Sequence, residues 1–247
     1  MVKNPFSLDG KRIVITGAAS GIGRATAIMA SELGAEIIAL DIQKEGLEET
    51  LELMHGSGHT LLVVDLTDSE NIERELKFLW QEYPIDGFVH CAGISSRKPL
   101  NVLKREGFAK IMNVNFYAFV DLVRLFCKRN RMVDGGKVVV MSSISSIRGY
   151  KAKTEYCVSK AAVDSFVRCM ALELAPRKIC INSIMASEVL TPMAIEAKKM
   201  NLSDAEFETP LGPSTSEEVA ATIIFLLCDA TKTITGTSIR IDGGACV

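Results

Sequence analysis

The feature that most constrains this sequence is a regular alternation of short, β-branched apolar runs with longer amphipathic segments. The first run, 11–16, ends in Gly17, and an apolar-periodic segment from Ile22 to Leu33 then stops at Gly34. Apolar residues at helical spacing, followed by a glycine, are typical of a helix and its C-terminal cap. The start of the chain therefore predicts a strand, a glycine-rich loop and a helix.

The same order continues along most of the chain. Further strands are predicted at 35–41, 60–64, 88–91, 137–141, 178–184 and 238–241, and further helices at 42–54, 69–82, 106–130, 156–174 and 217–228. Almost continuously apolar strands that alternate with helices indicate a parallel sheet covered on both faces. We predict an α/β fold: a single domain over 1–247 with a doubly wound parallel sheet of about seven strands.

Residues 191–216 break this regularity, because three of the seven prolines lie there. A helix and a strand follow, so we interpret the segment as an excursion over the sheet and not as a second domain. Open α/β sheets bind ligands beyond the carboxyl ends of their strands. We therefore predict a substrate lid at about 187–216.

Composition excludes several classes of function. The 28 Lys and Arg residues against 30 Asp and Glu residues leave a formal charge of -2, so no excess of basic residues predicts binding to nucleic acid or an anionic membrane. The N-terminus lacks an apolar signal segment, and no apolar run is long enough to span a membrane, so we expect a cytoplasmic protein. The seven cysteines lie mostly in apolar segments, and neither they nor the three histidines show metal-binding spacing, which predicts buried, reduced thiols and no metal.

The loop after the first strand reads Thr-Gly-Ala-Ala-Ser-Gly-Ile-Gly from 16 to 23, a GxxxGxG spacing instead of the general GxGxxG fingerprint. It still offers a tight turn, close approach of the backbone to a pyrophosphate, and helix N–H groups that face the anion. A purely structural turn is the alternative. Its place between the first strand and first helix favours a dinucleotide site formed by Gly17, Ser20, Gly21, Ile22 and Gly23.

Asp41 ends the second predicted strand, where a carboxylate can bind ribose hydroxyls and repel a 2'-phosphate. Neither Ser20 nor Ile42 is replaced by a basic residue that would attract this phosphate, so we predict NAD over NADP. The alternative for Asp41 is an N-cap of the next helix. Asp65 either contacts the adenine amino group or only terminates a strand.

Tyr156 and Lys160 stand four residues apart at the start of a predicted helix, so their side chains project from one face. A lone pair of this kind is a weak signal, because chance supplies such pairs readily. Of the four tyrosines, however, only Tyr156 is followed by a lysine four residues later.

Several short motifs occur along the chain, and their joint order and spacing carry more information than any one of them. They are the glycine loop, Asp65, Cys91-Ala92-Gly93, Asn115, Ser143, Tyr156-x3-Lys160 and Asp242-Gly243-Gly244. In order and spacing the chain, from about Leu8 to Gly244, resembles the short-chain dehydrogenase/reductase family. The resemblance implies a Rossmann fold and a nicotinamide cofactor.

The resemblance also implies roles for individual residues. Tyr156 would be the general acid/base, Lys160 would hold the nicotinamide ribose and lower the pKa of the phenol, Ser143 would bind the substrate oxygen, and Asn115 would hold a water at a helix kink. A free phenol has a pKa of about 10, so a base that works near pH 7 needs a shift of roughly 3 units. A neighbouring ammonium and the positive nicotinamide ring can provide this shift in a partly desolvated cleft, whereas a surface pair cannot. Leu66, Cys91, Ala92, Gly93, Val189 and Thr191 would complete the cofactor site. Ser143 could instead form a turn in its serine-rich stretch, and Asn113 competes with Asn115.

One position departs from the family pattern. After the sixth predicted strand the family usually has Pro-Gly, whereas this chain has Ala186-Ser187 followed by Glu188. Because Pro-Gly fixes a turn close to the nicotinamide, we expect an intact but weaker cofactor pocket here.

Three functions are consistent with these residues. The first is an NAD-dependent oxidoreductase for a secondary alcohol or its ketone. The second is an NADPH-dependent 3-oxoacyl-acyl-carrier-protein reductase, since Pro210-Leu211-Gly212 and Thr235-Gly236 also fit that branch. The third, motivated by Ala186-Ser187, is a non-catalytic NAD(H)-binding sensor or scaffold.

Two further features concern partners. The loops 94–100 and 144–155 carry Arg97, Lys98, Arg148, Lys151 and Lys153 against one acid, Glu155. This suggests an anionic small-molecule substrate, although solvated loop charges are the simpler interpretation. The segment 116–127 is apolar on several faces, which favours burial against a second subunit in a homodimer or homotetramer.

Overall fold

The computed structural model describes residues 4–81, 83–192, 194–195 and 209–247. Within these residues the strands are β1 (Arg12–Thr16), β2 (Glu36–Asp41), β3 (Thr60–Val63), β4 (Ile85–His90), β5 (Met132–Met141), β6 (Cys180–Ala186), β7 (Val189–Leu190), β8 (Ser214–Thr215) and β9 (Ser238–Ile241). Seven of them form one sheet in the order β3-β2-β1-β4-β5-β6-β9, and every pairing is parallel. β7 and β8 form a separate two-stranded ladder.

The helices of the described residues are α1 (Gly21–Glu32), α2 (Lys44–Leu53), α3 (Ser69–Glu75), α4 (Arg105–Met112), α5 (Ala118–Phe126), α6 (Thr154–Leu174) and α7 (Ser216–Leu227). They cover both faces of the sheet, and each face has its own apolar core. Ile13 and Ile15 of β1 point into the core that contains α1 and α7, whereas Val14 points into the core that contains α5 and α6. This alternation follows from the two-residue repeat of a strand. The predicted doubly wound α/β fold is confirmed.

The strand order places the ligand site. From β1 the chain runs outward to β2 and β3, and then crosses back to β4 on the other side of β1. The loops after β1 and β4 therefore diverge and leave a crevice beyond the strand ends, where open α/β sheets bind ligands.

Several predicted boundaries were wrong. The predicted helix 106–130 is α4 and α5 separated by a π-helical turn (Asn113–Tyr117), and it ends at Phe126. β5 begins at Met132, five residues before the predicted start, because Met132 pairs with Ile85 ahead of a register shift. The predicted helix 69–82 is α3 and a 3-10 helix that extends to Gln81.

Other expectations concern the whole chain. The predicted lid overlaps residues 193 and 196–208, which lie outside the described residues. All seven cysteines are free thiols, although only Cys180 and Cys228 are fully buried and Cys169 is exposed. In the described part of the chain, none of the helices is long and apolar enough to cross a membrane.

Candidate active site

A cavity of about 1080 Å³ lies beyond the carboxyl ends of β1, β2, β4, β5 and β6. It brings together the predicted cofactor residues with three of the four predicted catalytic residues. The lining includes Gly17, Ser20, Gly21, Ile22, Gly23, Asp41, Ile42, Asp65, Leu66, Cys91, Ala92, Gly93, Ser143, Tyr156, Lys160, Val189 and Thr191. The fourth catalytic candidate, Asn115, lies behind this wall and is fully buried.

The glycine loop requires its glycines for close backbone packing. Gly17 has φ +69°, and a Cβ there would lie 2.7 Å from the backbone nitrogen of Ala92. A Cβ on Gly23 would collide with the Gly17 carbonyl oxygen. The loop thus turns directly into α1 and leaves its backbone open to the cavity, as a pyrophosphate site requires.

The beginning of α1 suits an anion. Ser20 occupies the N-cap position without a side-chain capping hydrogen bond, and the first turn contains no acidic residue. Arg24, in the same turn, donates hydrogen bonds to the carbonyl oxygens of Ala19 and Gly46 and pairs with Glu49 at 2.7 Å. Its guanidinium therefore fixes the loop to α2.

Asp41 ends β2 at the cavity wall. One carboxylate oxygen accepts a hydrogen bond from the Ala19 N–H at 3.1 Å, and the other accepts from the Gln43 N–H at 3.0 Å. The N-cap of α2 is Gln43, so the alternative interpretation of Asp41 as that N-cap was wrong. Asp65 accepts hydrogen bonds from the N–H and hydroxyl of Thr67 and also lines the cavity.

Tyr156 and Lys160 face the cavity from the first two turns of α6. Lys160 Nζ lies 5.6 Å from the centroid of the Tyr156 ring and donates a hydrogen bond to the Met141 carbonyl oxygen at 2.8 Å. Lys153 Nζ lies 5.9 Å from the same ring centroid. Two ammonium groups thus lie within 6 Å of the centroid of the Tyr156 ring.

The environment of Lys160 also shifts its own proton equilibrium. Only 4% of Lys160 is exposed, and this burial lowers the pKa of its ammonium to about 8. Asp164 and Cys91 act in the opposite direction. Burial raises the pKa of the Cys91 thiol to about 12, so that this thiol remains protonated at neutral pH.

Ser143 follows β5 and lies in the cavity wall, where its Oγ accepts a hydrogen bond from the Ser145 N–H at 3.1 Å. Ser143 therefore also shapes the turn, as the alternative interpretation predicted. Asn115 lies in the π-helical turn, and its side chain exchanges hydrogen bonds with the N–H and carbonyl of Ile94. Asn113 lines the cavity itself, two residues earlier.

Comparison with known proteins agrees with this geometry. Residues 17–246 match the family model described as Enoyl-(Acyl carrier protein) reductase. The chain is 35% identical to an NAD-dependent glycerol dehydrogenase of Listeria innocua, over 97% of this chain and 95% of that protein. It is 34% identical to a 3-oxoacyl-acyl-carrier-protein reductase of Thermotoga maritima, over 96% of this chain and 98% of that protein. The chain belongs to the short-chain dehydrogenase/reductase family.

A solved structure gives the same result. A putative NAD(P)-dependent gluconate 5-dehydrogenase from Beutenbergia cavernae, with bound NADP at low occupancy, superimposes with a TM-score of 0.86 at 29% identity, over 98% of both chains. Like these relatives, this short-chain dehydrogenase/reductase is an NAD(P)-dependent oxidoreductase that acts on CH–OH groups.

The Ala186-Ser187 departure leaves this short-chain dehydrogenase/reductase with an ordered cavity wall. The Ser187 N–H donates to the Ile241 carbonyl at 3.0 Å, and the Ser214 N–H donates to the Glu188 carbonyl at 3.1 Å. Thr191 packs against the glycine loop, since a Cβ on Gly21 would lie 3.3 Å from its methyl carbon. Strand pairing thus holds the segment that Pro-Gly fixes in the family.

Two of the five basic loop residues are engaged elsewhere. Lys98 Nζ lies 3.6 Å from the buried carboxylate of Glu155, and Arg148 donates to the Ala245 carbonyl at 2.7 Å. Among the five basic residues singled out in these loops, only Lys153 lines the cavity, and the acidic Glu188 lines it as well. Sequence reasoning attached no role to Lys153 alone. Its position three residues before Tyr156 is the signal that could have done so.

Proposed function

We propose that this enzyme prefers NAD and transfers a hydride between the nicotinamide and a secondary alcohol or its ketone, with Tyr156 as the general acid/base. The observation that carries the proposal is the buried ammonium of Lys160 at 5.6 Å from the Tyr156 ring centroid, inside the cavity at the switch point of the sheet. When bound, the nicotinamide cofactor supplies the hydride acceptor or donor.

The residues of the chain then transfer the proton. In the direction of alcohol oxidation, Tyr156 Oη takes the hydroxyl proton, and in ketone reduction it returns one. Lys160 stabilises the phenolate electrostatically, so that the phenol exchanges its proton nearer neutral pH. Ser143 Oγ hydrogen-bonds the substrate oxygen, while Asn115 fixes the loop at Ile94 beside the site.

The preference for NAD rests on charge. The Asp41 carboxylate would lie beside a 2'-phosphate and repel it. Arg24, the nearby cation of the glycine loop, is already engaged by Glu49 and two carbonyl oxygens. The NAD-dependent Listeria relative agrees with this choice, whereas the Beutenbergia structure contains NADP.

The substrate end of the cavity favours a small polar molecule. Ser145, Tyr150, Lys153 and Glu188 line it together, so hydroxyl groups can find both donors and acceptors there. Because the cavity lining contains the acidic Glu188 as well as Lys153, an anionic substrate has less support than the loop composition suggested. The substrate lid at about 187–216 and the single domain over 1–247 stay predictions.

A second candidate is favoured by the Thermotoga relative: a 3-oxoacyl-acyl-carrier-protein reductase that uses NADPH. The sensor or scaffold hypothesis has less support, because Tyr156, Lys160 and Ser143 all reach the cavity and strand pairing orders Ser187.

The test is direct. The purified protein is incubated with NAD and a panel that includes glycerol, pentitols and simple secondary alcohols, and NADH formation is followed; a 3-oxoacyl thioester with NADPH forms the second arm. We expect turnover of an alcohol with NAD. Turnover confined to the thioester would favour the second candidate, and tight NADH binding without any turnover would favour the sensor.

A further inference from the structure

Helix α6 carries a third ionisable residue in line with Tyr156 and Lys160. Asp164 follows Lys160 by four residues, as Lys160 follows Tyr156, so the three side chains lie on one helix face. Both Lys160, at 4% exposed, and Asp164, at 3% exposed, are buried against the sheet. The face thus places a buried carboxylate one turn beyond a buried ammonium.

The Asp164 carboxylate is held by the sheet and not by solvent. Its Oδ1 accepts a hydrogen bond from Ser183 Oγ at 2.6 Å, and Ser183 Oγ lies 2.7 Å from Ser238 Oγ. Its Oδ2 is buried and has no hydrogen-bond partner among the described residues. A buried carboxylate with one unused oxygen is costly unless a nearby positive charge compensates it.

Lys160 carries the opposite charge and is buried in the same region. Its Nζ donates to the neutral Met141 carbonyl, and burial favours loss of its proton. Among the described residues, the ionisable groups around it are Tyr156 and Asp164 on its own helix, with His90 and Cys91 at the end of β4. His90 is neutral, since burial lowers its pKa to about 3, and the Cys91 thiol is protonated. Asp164 is therefore the carboxylate in this group that balances the ammonium.

We propose that Asp164 is a positioning residue for the reaction: its negative charge holds Lys160 in the ammonium form that Tyr156 needs. Ser183 orients the carboxylate from the sheet. This inference rests on the proposed roles of Tyr156 and Lys160. It adds to them a residue that lies one turn further along α6, in the interior of the protein.

The first experiment is the pH profile of kcat for Asp164→Asn. Loss of the carboxylate makes Lys160 lose its proton at lower pH, and the phenol then ionises at higher pH. We expect the alkaline limb, which follows loss of the Lys160 proton, to move to lower pH by about one unit or more, so the profile narrows. A merely structural role would lower kcat equally at all pH values, and that result would overturn the proposal.

Two variants act as controls. Ser238→Ala removes the hydroxyl beside Ser183 but keeps the Ser183 hydrogen bond and the charge of Asp164, so both limbs should stay within a few tenths of a unit of the wild type. Asp164→Glu also keeps the charge and should retain most of the wild-type profile. If Asp164→Asn does not fold, Asp164→Glu with narrowed limbs would count against the proposal, and Asp164→Glu with wild-type limbs would support it.

A second readout needs no turnover. Ultraviolet titration of tyrosinate in the protein without cofactor, with the Tyr156→Phe signal subtracted, reports the ionisation of Tyr156 alone. Its midpoint should rise by about one unit in Asp164→Asn and stay unchanged in Ser238→Ala. If the titration shows this shift and Tyr156→Phe nevertheless retains full turnover, the proposed function fails while the coupling through Lys160 stands. An unchanged midpoint in Asp164→Asn would refute the coupling itself.

Discussion

His90 is a buried histidine at the end of β4 that contributes to stability only while it is neutral. It is 1% exposed, its Nδ1 lies 2.9 Å from Thr16 Oγ1, and its ring stacks on Phe119 at a centroid distance of 5.3 Å. Burial, and secondarily the charge of Lys160, lower its pKa from 6.5 to about 3. In the unfolded chain the same histidine binds a proton below about pH 6.5.

Between pH 6.5 and 3 the unfolded state therefore binds more protons than the folded state, and stability falls as the pH falls. His90 alone accounts for up to about 5 kcal/mol over this range, or about 1.4 kcal/mol per pH unit. In His90→Gln we expect the free energy of unfolding, measured in urea between pH 4.5 and 7, to depend less on pH. The exposed His55→Gln is the control, and equal slopes for His90→Gln and the wild type would contradict this account.

Asp41 sets the choice between the two cofactors. In Asp41→Asn the negative charge is lost while the hydrogen bond from the Gln43 N–H can remain. We expect the ratio of kcat/KM with NADP to kcat/KM with NAD to rise about tenfold or more, which corresponds to roughly 1.4 kcal/mol. Asp65→Asn, on the same cavity wall, should leave the ratio near its original value. An unchanged ratio in Asp41→Asn would mean that its charge does not select the cofactor.

The sequence was sufficient to predict those site residues whose positions follow from helix spacing or from the end of a strand. Tyr156 and Lys160 share a helix face, and Asp41 ends a strand, so spacing alone brought them to the cavity. Residue type alone could not decide which of Asn113 and Asn115 reaches the cavity. The π-helical turn rotates Asn113 to the cavity and Asn115 behind it, and this turn has no clear signal in the sequence. Asp164 was missed, although its spacing from Lys160 was visible.

The element that binds the pyrophosphate in this account is the glycine loop with the first turn of α1. Gly23→Ala would place a methyl group against the Gly17 carbonyl oxygen and push the loop away from α1. We expect the Kd for NADH, measured by fluorescence titration, to rise at least tenfold. Gly149→Ala, where a Cβ meets no atom within 4 Å, should bind NADH like the wild type. A folded Gly23→Ala protein with an unchanged Kd would contradict the proposed loop function.

Elements were predicted best where apolar periodicity is strong and local. β9 was predicted with its observed bounds, and α6 within two residues. The early start of β5 depends instead on pairing of Met132 with Ile85, a contact between distant parts of the chain. The interruption of the long helix likewise coincides with the hydrogen bonds that Asn115 makes with Ile94. Neither contact can be read from a window of neighbouring residues.

The whole molecule leaves apolar side chains exposed, but not the ones first singled out. Phe119, Leu122 and Phe126 are buried in the chain's own core, so they no longer argue for a second subunit. Val158 and Leu172 of α6, 46% and 79% exposed, lie four turns apart on one stripe of the helix. Because exposed apolar side chains on one side of a helix favour an interface, we still predict a homo-oligomer.

Light scattering should therefore give a mass of two or four times 26.9 kDa at micromolar concentration. Leu172→Asp should reduce this mass, because a charge in an apolar interface is costly. Leu53→Asp on α2, at a position 51% exposed, should not reduce it. A wild-type monomer would exclude the interface.

The central claim concerns Tyr156, and its most direct test is the turnover of Tyr156→Phe on the substrate that the alcohol panel identifies. This substitution removes only the phenolic oxygen, so the Kd for NADH should stay near the wild-type value. We expect kcat to fall by roughly 10²- to 10⁴-fold, the range of general acid/base catalysis. Turnover by Tyr156→Phe equal to that of the wild type would contradict the account.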